Sequence, residues 1–395
     1  MTAARPPATP AAAPASPSTA RVINDRLALN LLQDEGPLTA GQLKTRTGLS
    51  RPSVADLVER LTGAGLIEVV GESGAQRRGP NAKLYGIVAR RAHLAALDVR
   101  TDSVTAVVTD LLGNPLARTA LPVAAPADAV TALRRATREA GADALHTVMI
   151  GAPGLVAPDT GELRDSTGLP SWHRDLVALL QRELPARVLV ENETNLAALA
   201  EQRLGAARDL DSFVLLWLGA GVGAAVVLDG RLRRGASGGA GEIGFLPVPG
   251  TAGLPSATDC GGGFHALAGR AAVAGLAAGH GFAGSPEEAV AGAAGPAFLD
   301  ALAERLALGA AAVAAVVDPG CVILGGELGL AGGSGLADRV AARLAALTPV
   351  PTSVRASSLG GAAVLSGGRL AAREAAQQVL FAPPAPPRPG EPRGA

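Results

Sequence analysis

Two groups of residues have types and spacings that could do chemistry. In the first, the run ARVLVENETNLAALAE ends a strand-like stretch on Glu191, Asn192 and Glu193, and the Gly-rich stretch GASGGAGEIGF carries Glu242. Carboxylates at a strand end facing Gly-rich turns suggest a ligand cleft between two lobes. In the second, positive charge is gathered without acids. From Gly41 to Ala55 the charged residues are Lys44, Arg46 and Arg51, and from Ser73 to Arg91 they are Arg77, Arg78, Lys83, Arg90 and Arg91. The neighbouring acids, Asp34, Glu35, Glu59, Glu68 and Glu72, fall outside both stretches. That segregation is what contact with nucleic-acid phosphates needs.

The elements that must present the basic residues read as three helices and a β-hairpin. Ile23, Leu27 and Leu31 recur at i, i+4 and i+8, with Ala28 and Leu32 beside them, which predicts one amphipathic helix closed by Gly36-Pro37. Thr39 can N-cap a short second helix containing Leu43, Gly48 makes a turn, and Ser50 can N-cap a third. Pro52 is tolerated in the third helix's first turn, where its missing N–H has no intrahelical partner. Val54, Leu57, Val58 and Leu61 form that helix's apolar stripe, and Gly63 and Gly65 stop it. LIEVV and KLYGIV then read as the two strands of a wing. In a helix-turn-helix the start of the second helix of the motif enters the major groove. Here that start offers Ser50, Arg51 and Ser53, with Arg able to pair bidentately with guanine. The wing tip holds Arg77, Arg78 and Gly79, a segment able to lie in a narrow minor groove. The plainer alternatives are a solvated surface loop and a helix-turn-helix used for dimer contact.

Composition bounds the rest. The chain has 395 residues, 48% apolar but only 2% aromatic, so its cores must be built from Ala, Val and Leu. Its net charge is zero, which excludes a general polycation and confines any nucleic-acid surface to one region. The two cysteines, Cys260 and Cys321, cannot make a disulfide framework, and a reducing cytoplasm fits them. No signal-peptide core and no membrane-length apolar run is apparent, so no membrane partner is expected. The expected organisation is a disordered tail over 1–20, a winged helix-turn-helix over 21–90, an α/β domain over 91–381, and a second disordered tail over 382–395.

Within 91–381, strand runs alternate with Ala-rich helices and Gly-rich turns, which reads as α/β. HLAALDVRTDSVTAVVTD reads as two strands, LHTVMIGAPG as a strand and tight loop, FVLLWLGAGVGAAVVL as strand, turn and strand, and VVDPGCVILGGEL as helix end, strand and turn. With GASGGAGEIG and VENETNLAALAE the strongest segments, the chain over about 21–380 resembles the ROK family of repressors and sugar kinases. The resemblance implies a two-lobed, actin-like (ribonuclease H-like) sugar-kinase fold behind a DNA-binding head.

The same resemblance shows where this chain departs from a working kinase. The family's base, an Asp, aligns with Glu193, whose extra methylene moves the carboxylate by ~1 Å; misplacement of that order can cost about a hundredfold. The first phosphate loop reads Asp98-Val99-Arg100-Thr101-Asp102, with Arg100 replacing a Gly and Asp102 replacing a Thr. The second keeps Gly219, Gly221 and Gly223 but has Ala220 where Thr is expected. Among sugar contacts, Asn192, Glu193 and Glu242 are kept as ligand-binding candidates, while Gly168, Phe245 and Leu267 depart from the pattern. Glu193 and Glu242 could equally be hydrogen-bond anchors for the loops. Of the family's zinc ligands only Cys260 remains, with His265 in place of another, so no metal is expected and the segment 246–262 should be mobile. His93, His146, His173 and His280 read as surface or capping residues, and Trp172 as packing at a lobe edge.

The resulting expectation is a cytoplasmic DNA-binding regulator without catalytic residues or cofactor. It would be a homodimer or homotetramer on a palindromic double-stranded operator, with a sugar-like or other small effector in its cleft. The alternative is an ATP-dependent sugar kinase that carries a DNA-binding head.

Overall fold

The computed structural model describes residues 17–73, 81–100, 103–122, 126–163, 172–256 and 258–382. The chain forms two compact units, one of residues up to Ala92 together with those from Ala375 onward, the other His93–Glu374.

The smaller unit runs α1 (Pro17–Glu35), β1 (Leu38–Thr39), α2 (Ala40–Thr47), α3 (Arg51–Gly63), β2 (Ile67–Ser73) and β3 (Ala82–Ile87). Its strands pair in the order β1-β3-β2, the arrangement of a wing folded back beside a short strand. The local signals explain the elements. Thr39 caps α2 in a full capping box: its Oγ1 accepts from Gln42 N at 3.2 Å, and Gln42 Oε1 accepts from Thr39 N at 2.8 Å. Gly48 takes φ 72°, a left-handed turn that glycine adopts without penalty, and its N–H closes on Lys44 O. Ser50 caps α3, accepting from Ser53 N at 3.3 Å. Val54, Leu57 and Leu61 are buried as the stripe predicts, and Val58 is half-buried.

Helix α1 differs from expectation in two respects. It begins at Pro17, so the boundary expected at residue 20 falls inside a helix. Its buried face is Ala28, Leu29 and Leu32, whereas Ile23 and Leu27 are exposed. The i, i+4, i+8 series had picked the adjacent face, because this helix is apolar on neighbouring sides.

The larger unit contains two five-stranded sheets built on one plan. The first takes β4 (His93–Val99), β5 (Ser103–Asp110), β6 (Pro115–Pro122), β7 (Thr147–Ala152) and β8 (Arg187–Asn192) in the order β6-β5-β4-β7-β8. The second takes β9 (Phe213–Leu218), β10 (Val222–Leu228), β11 (Arg231–Arg233), β12 (Cys321–Gly325) and β13 (Ser353–Ala356) in the order β11-β10-β9-β12-β13. In each sheet the first three strands form an antiparallel meander and the last two add in parallel. The central strands β4, β7, β9 and β12 are buried along nearly their whole length, which is why they read as unbroken apolar runs rather than alternating ones.

Each sheet has its own core. Against the first pack α4 (Pro126–Glu139) and α5 (Trp172–Glu183), burying residues such as Leu97, Ile150, Leu133 and Leu176. Against the second pack α7 (His265–Ala268), α8 (Arg270–Gly279), α9 (Pro286–Glu288), α10 (Pro296–Val317) and α11 (Gly326–Leu347), around Phe264, Phe298, Leu306 and Leu324. Helix α6 (Glu193–Leu204) touches strands of both sheets. Helix α12 (Ala363–Leu380) belongs through Glu374 to the larger unit and from Ala375 to the smaller, where Gln377 Nε2 donates to Gln33 Oε1 at 2.7 Å. The compact units divide between Ala92 and His93 and, within α12, between Glu374 and Ala375.

Candidate DNA interface and ligand cleft

In the smaller unit, the first turn of α3 places Arg51, Pro52 and Ser53 on the surface, opposite the buried stripe. The Ser50 and Ser53 hydroxyls lie 2.9 Å apart and hydrogen-bond each other. Lys44, Arg51 and Lys83 are exposed and form no ion pair among the described residues. Arg46 does: it holds Glu35 at 2.9 Å. Asp56, the one acid on the exposed side of α3 near its start, is bound by Arg60, which also holds Asp25. Arg90 pairs with Glu68 at 3.1 Å. The unpaired positive charge is thus narrower than the sequence implies. Arg77, Arg78 and Gly79 of the wing tip lie outside the described residues.

In the larger unit, the Gly-rich segment 235–244 lies flat across its neighbours. Gly238 and Gly241 take φ 83° and 96°, and a Cβ on either would overlap a backbone carbonyl, of Val156 and of Ala224 respectively. Only glycine lets this loop approach so closely. It carries Glu242 at the start of a short 3-10 turn, where burial raises the carboxyl. The Glu242 backbone N–H donates to Gly239 O and its carbonyl accepts from Phe245 N, and Phe245 beside it is 40% exposed.

Across from it, β8 runs into α6. Asn192 is the N-cap: its Oδ1 accepts from Thr194 N at 2.8 Å and Asn195 N at 3.3 Å, while its Nδ2 donates to Gly154 O at 3.0 Å. The side chain fastens a helix start and the loop after β7. Glu191, named above at the strand end but not as a ligand-binding candidate, is buried in a similar role. It accepts from Asn192 N and Asn195 Nδ2, and Arg234 Nε donates to it at 2.7 Å. Glu193, the first residue of α6, has its carboxyl pushed up to about 7. Burial is the main cause, Arg100 opposes it, and the carboxylates of Asp98 and Glu327 reinforce it.

Arg100, expected to break a phosphate loop, fills the space between the sheets. Its Nε is 2.9 Å from Asp98 Oδ1 at the end of β4, and its Nη1 donates to Glu327 Oε1 at 2.7 Å at the start of α11. Its guanidinium lies 5.7 Å from the centre of the Trp217 ring. Gly219 makes room: a Cβ there would sit 2.6 Å from Glu327 Oε2. Thr101, Asp102 and Gly168 lie outside the described residues.

His173 corrects an expectation. It is 2% exposed rather than a surface residue, with Nε2 3.1 Å from Arg100 O and Trp172 packed edge-on against its ring. Burial lowers its basicity. His146 meets Thr147 Oγ1 at 2.8 Å, and His280 caps α8. Burial pushes the Cys260 thiol up and the His265 imidazole down. Among the described residues no group of three or more His, Cys, Asp or Glu could hold a metal ion. The described part of 246–262 includes bridges pairing Pro247 with Gly263 and Ser256 with Asp259.

Comparison with known proteins settles the family. The ROK family profile matches residues 94–374. The chain belongs to the ROK family. A MarR-family profile matches residues 24–79, over the helix-turn-helix. This ROK protein is 26% identical over 241 residues to the DNA-binding transcriptional dual regulator NagC of Escherichia coli, covering 57% of each chain. It is 23% identical over 241 residues to the xylose repressor of Bacillus subtilis, covering 57% of this chain and 60% of the repressor. A shorter segment of 154 residues is 43% identical to the bifunctional enzyme NanE/NanK of Brucella suis, covering 38% of this chain and 28% of that one. The match thus spans less than two thirds of the length of each of these relatives. In fold, a ROK-family transcriptional regulator homologous to the Escherichia coli MLC protein superposes with a TM-score of 0.74 over 92% of this chain and 98% of that one, at 22% identity. The ROK hexokinase of Thermus thermophilus gives a TM-score of 0.60 over 72% of this chain and 99% of that one, at 26% identity. The larger unit therefore has the two-lobed, sugar-kinase-like fold, and the smaller unit is a winged helix-turn-helix. No described helix is long and apolar enough to cross a membrane.

Proposed function

We propose that this ROK protein is a DNA-binding transcription regulator, acting as a repressor. The observation that carries the reading is the start of α3, where Ser50, Arg51 and Ser53 stand exposed, Lys44 is exposed without an ion pair among the described residues, and Asp56 of α3 is neutralised by Arg60. Arg51 reads a base edge, and Lys44, Lys83 and the wing residues Arg77, Arg78 and Gly79 grip phosphate. Arg46 contributes less, since Glu35 already holds it. The protein works in the cytoplasm as a homodimer or homotetramer on a palindromic operator, as two-fold symmetry requires. The cleft around Glu193 and Glu242 takes a small polar effector, with Asn192 supporting the loops. Fluorescence anisotropy of the purified chain with genomic fragments, repeated over a salt series, tests this. Tight binding to a few palindromic fragments with a steep salt slope is expected, and indifference to all duplexes at low salt would refute it.

The second reading, ATP-dependent sugar phosphorylation, has one observation in its favour: a carboxyl near 7 at Glu193 lies in the range useful for proton transfer. Against it, Arg100 and Glu327 occupy the space between the strand ends, and three carboxylates, Asp98, Glu193 and Glu327, surround the place where phosphates would be held. We therefore assign no catalytic residue and no cofactor. A coupled ADP-release assay with a panel of hexoses and acetamido sugars decides between the two.

A further inference from the structure

Arg100 is a cation with partners on both sheets of the larger unit, as is Arg234, which follows β11 and holds Glu191 of β8. Asp98 is the penultimate residue of β4 in the first sheet and is 5% exposed. Trp217 belongs to β9 in the second sheet, and Glu327 opens α11, which follows β12 of the second sheet. The guanidinium touches Asp98 and Glu327 and lies over the Trp217 ring, while Glu193 adds its field from α6. A planar fork suits this shared geometry in a way that a lysine would not. Gly219 is part of the same arrangement, since any side chain there would displace the Glu327 carboxylate.

We propose that Arg100 is a latch across the cleft: shared between Asp98 of the first lobe and Glu327 of the second, it holds the lobes together, and breaking it lets them part. Without the cation, Asp98, Glu193 and Glu327 are left facing one another in a partly buried site. The Asp98 and Glu193 carboxyls, already raised by burial, then take up protons, and no charge pair ties the first lobe to the second at this point. The latch sits in the larger unit and does not depend on what the protein binds.

The test uses the full chain and one of its own residues as reporter. Only two tryptophans exist, Trp172 and Trp217. In a Trp172→Phe background, Trp217 alone reports, and it is 3% exposed beneath the latch. Acrylamide quenching of that emission is expected to be weak in the parent. It should rise severalfold in Arg100→Ala and in Glu327→Gln, and rise partway in Gly219→Ala, with far-UV circular dichroism unchanged. Small-angle scattering should show a larger radius of gyration in the same variants. The Arg100→Ala/Glu327→Gln double variant should quench no more than the stronger single variant, because one link has been cut twice. Should Arg100→Ala fail to fold, Glu327→Gln makes the same measurement from a partly exposed position. Quenching and dimensions equal to the parent in Glu327→Gln, or strictly additive effects in the double variant, would overturn the latch.

Discussion

At the scale of single residues, the strongest prediction concerns Arg51. If it pairs with a guanine, Arg51→Ala weakens operator binding by about 1–3 kcal/mol, roughly fivefold to 150-fold, and relaxes preference at one position. Lys44→Ala should weaken all duplexes alike and reduce the salt slope by about one. Both are read from anisotropy titrations. Glu193 makes a pH prediction. Its carboxyl is pushed from an ordinary 4.5 up to about 7 in the folded chain, so the folded state holds a proton that the unfolded chain has released. Stability should therefore fall as pH rises from about 4.5 to about 7 and level off above. Glu193→Gln should flatten that part of the curve in urea titrations across pH. Sequence made Glu193 and Glu242 visible as chemistry-bearing positions. It could not show that Asn192's amide is engaged by the α6 start and Gly154, since one partner lies 38 positions away. Nor could it show Glu327 opposite Arg100, 227 positions distant.

At the scale of elements, the caps were the most legible feature, because each depends on residues three or four apart. Thr39, Gly48 and Ser50 all stand where local chemistry requires, and Ser50→Ala should destabilise the smaller unit by about 1 kcal/mol, measured by thermal melting. The wing strands and the α3 stripe were legible for the same reason. The buried face of α1 was not, since Ile23 and Leu27 against Ala28, Leu29 and Leu32 is a choice that only the packed partners make. The zinc region offers a further check. Cys260, Asp259 and His265 do not make a site of three ligands, so dialysis against a strong chelator should leave the melting curve unchanged.

At the scale of the whole molecule, the fold class was readable from the alternation of strands and Ala-rich helices together with the Gly-rich loops. What the alternation concealed is that both sheets repeat one strand order, because pairing partners such as β9 and β12 lie about a hundred residues apart. Size-exclusion chromatography with light scattering should return twice or four times the 39.1 kDa chain mass if the operator is palindromic. The two sheets also bury separate apolar clusters, one around Leu97 and Ile150, the other around Phe298 and Leu324. Each half of the larger unit then has the means to melt by itself, so calorimetry should resolve more than one heat-absorption component, and a lone transition temperature would describe neither half.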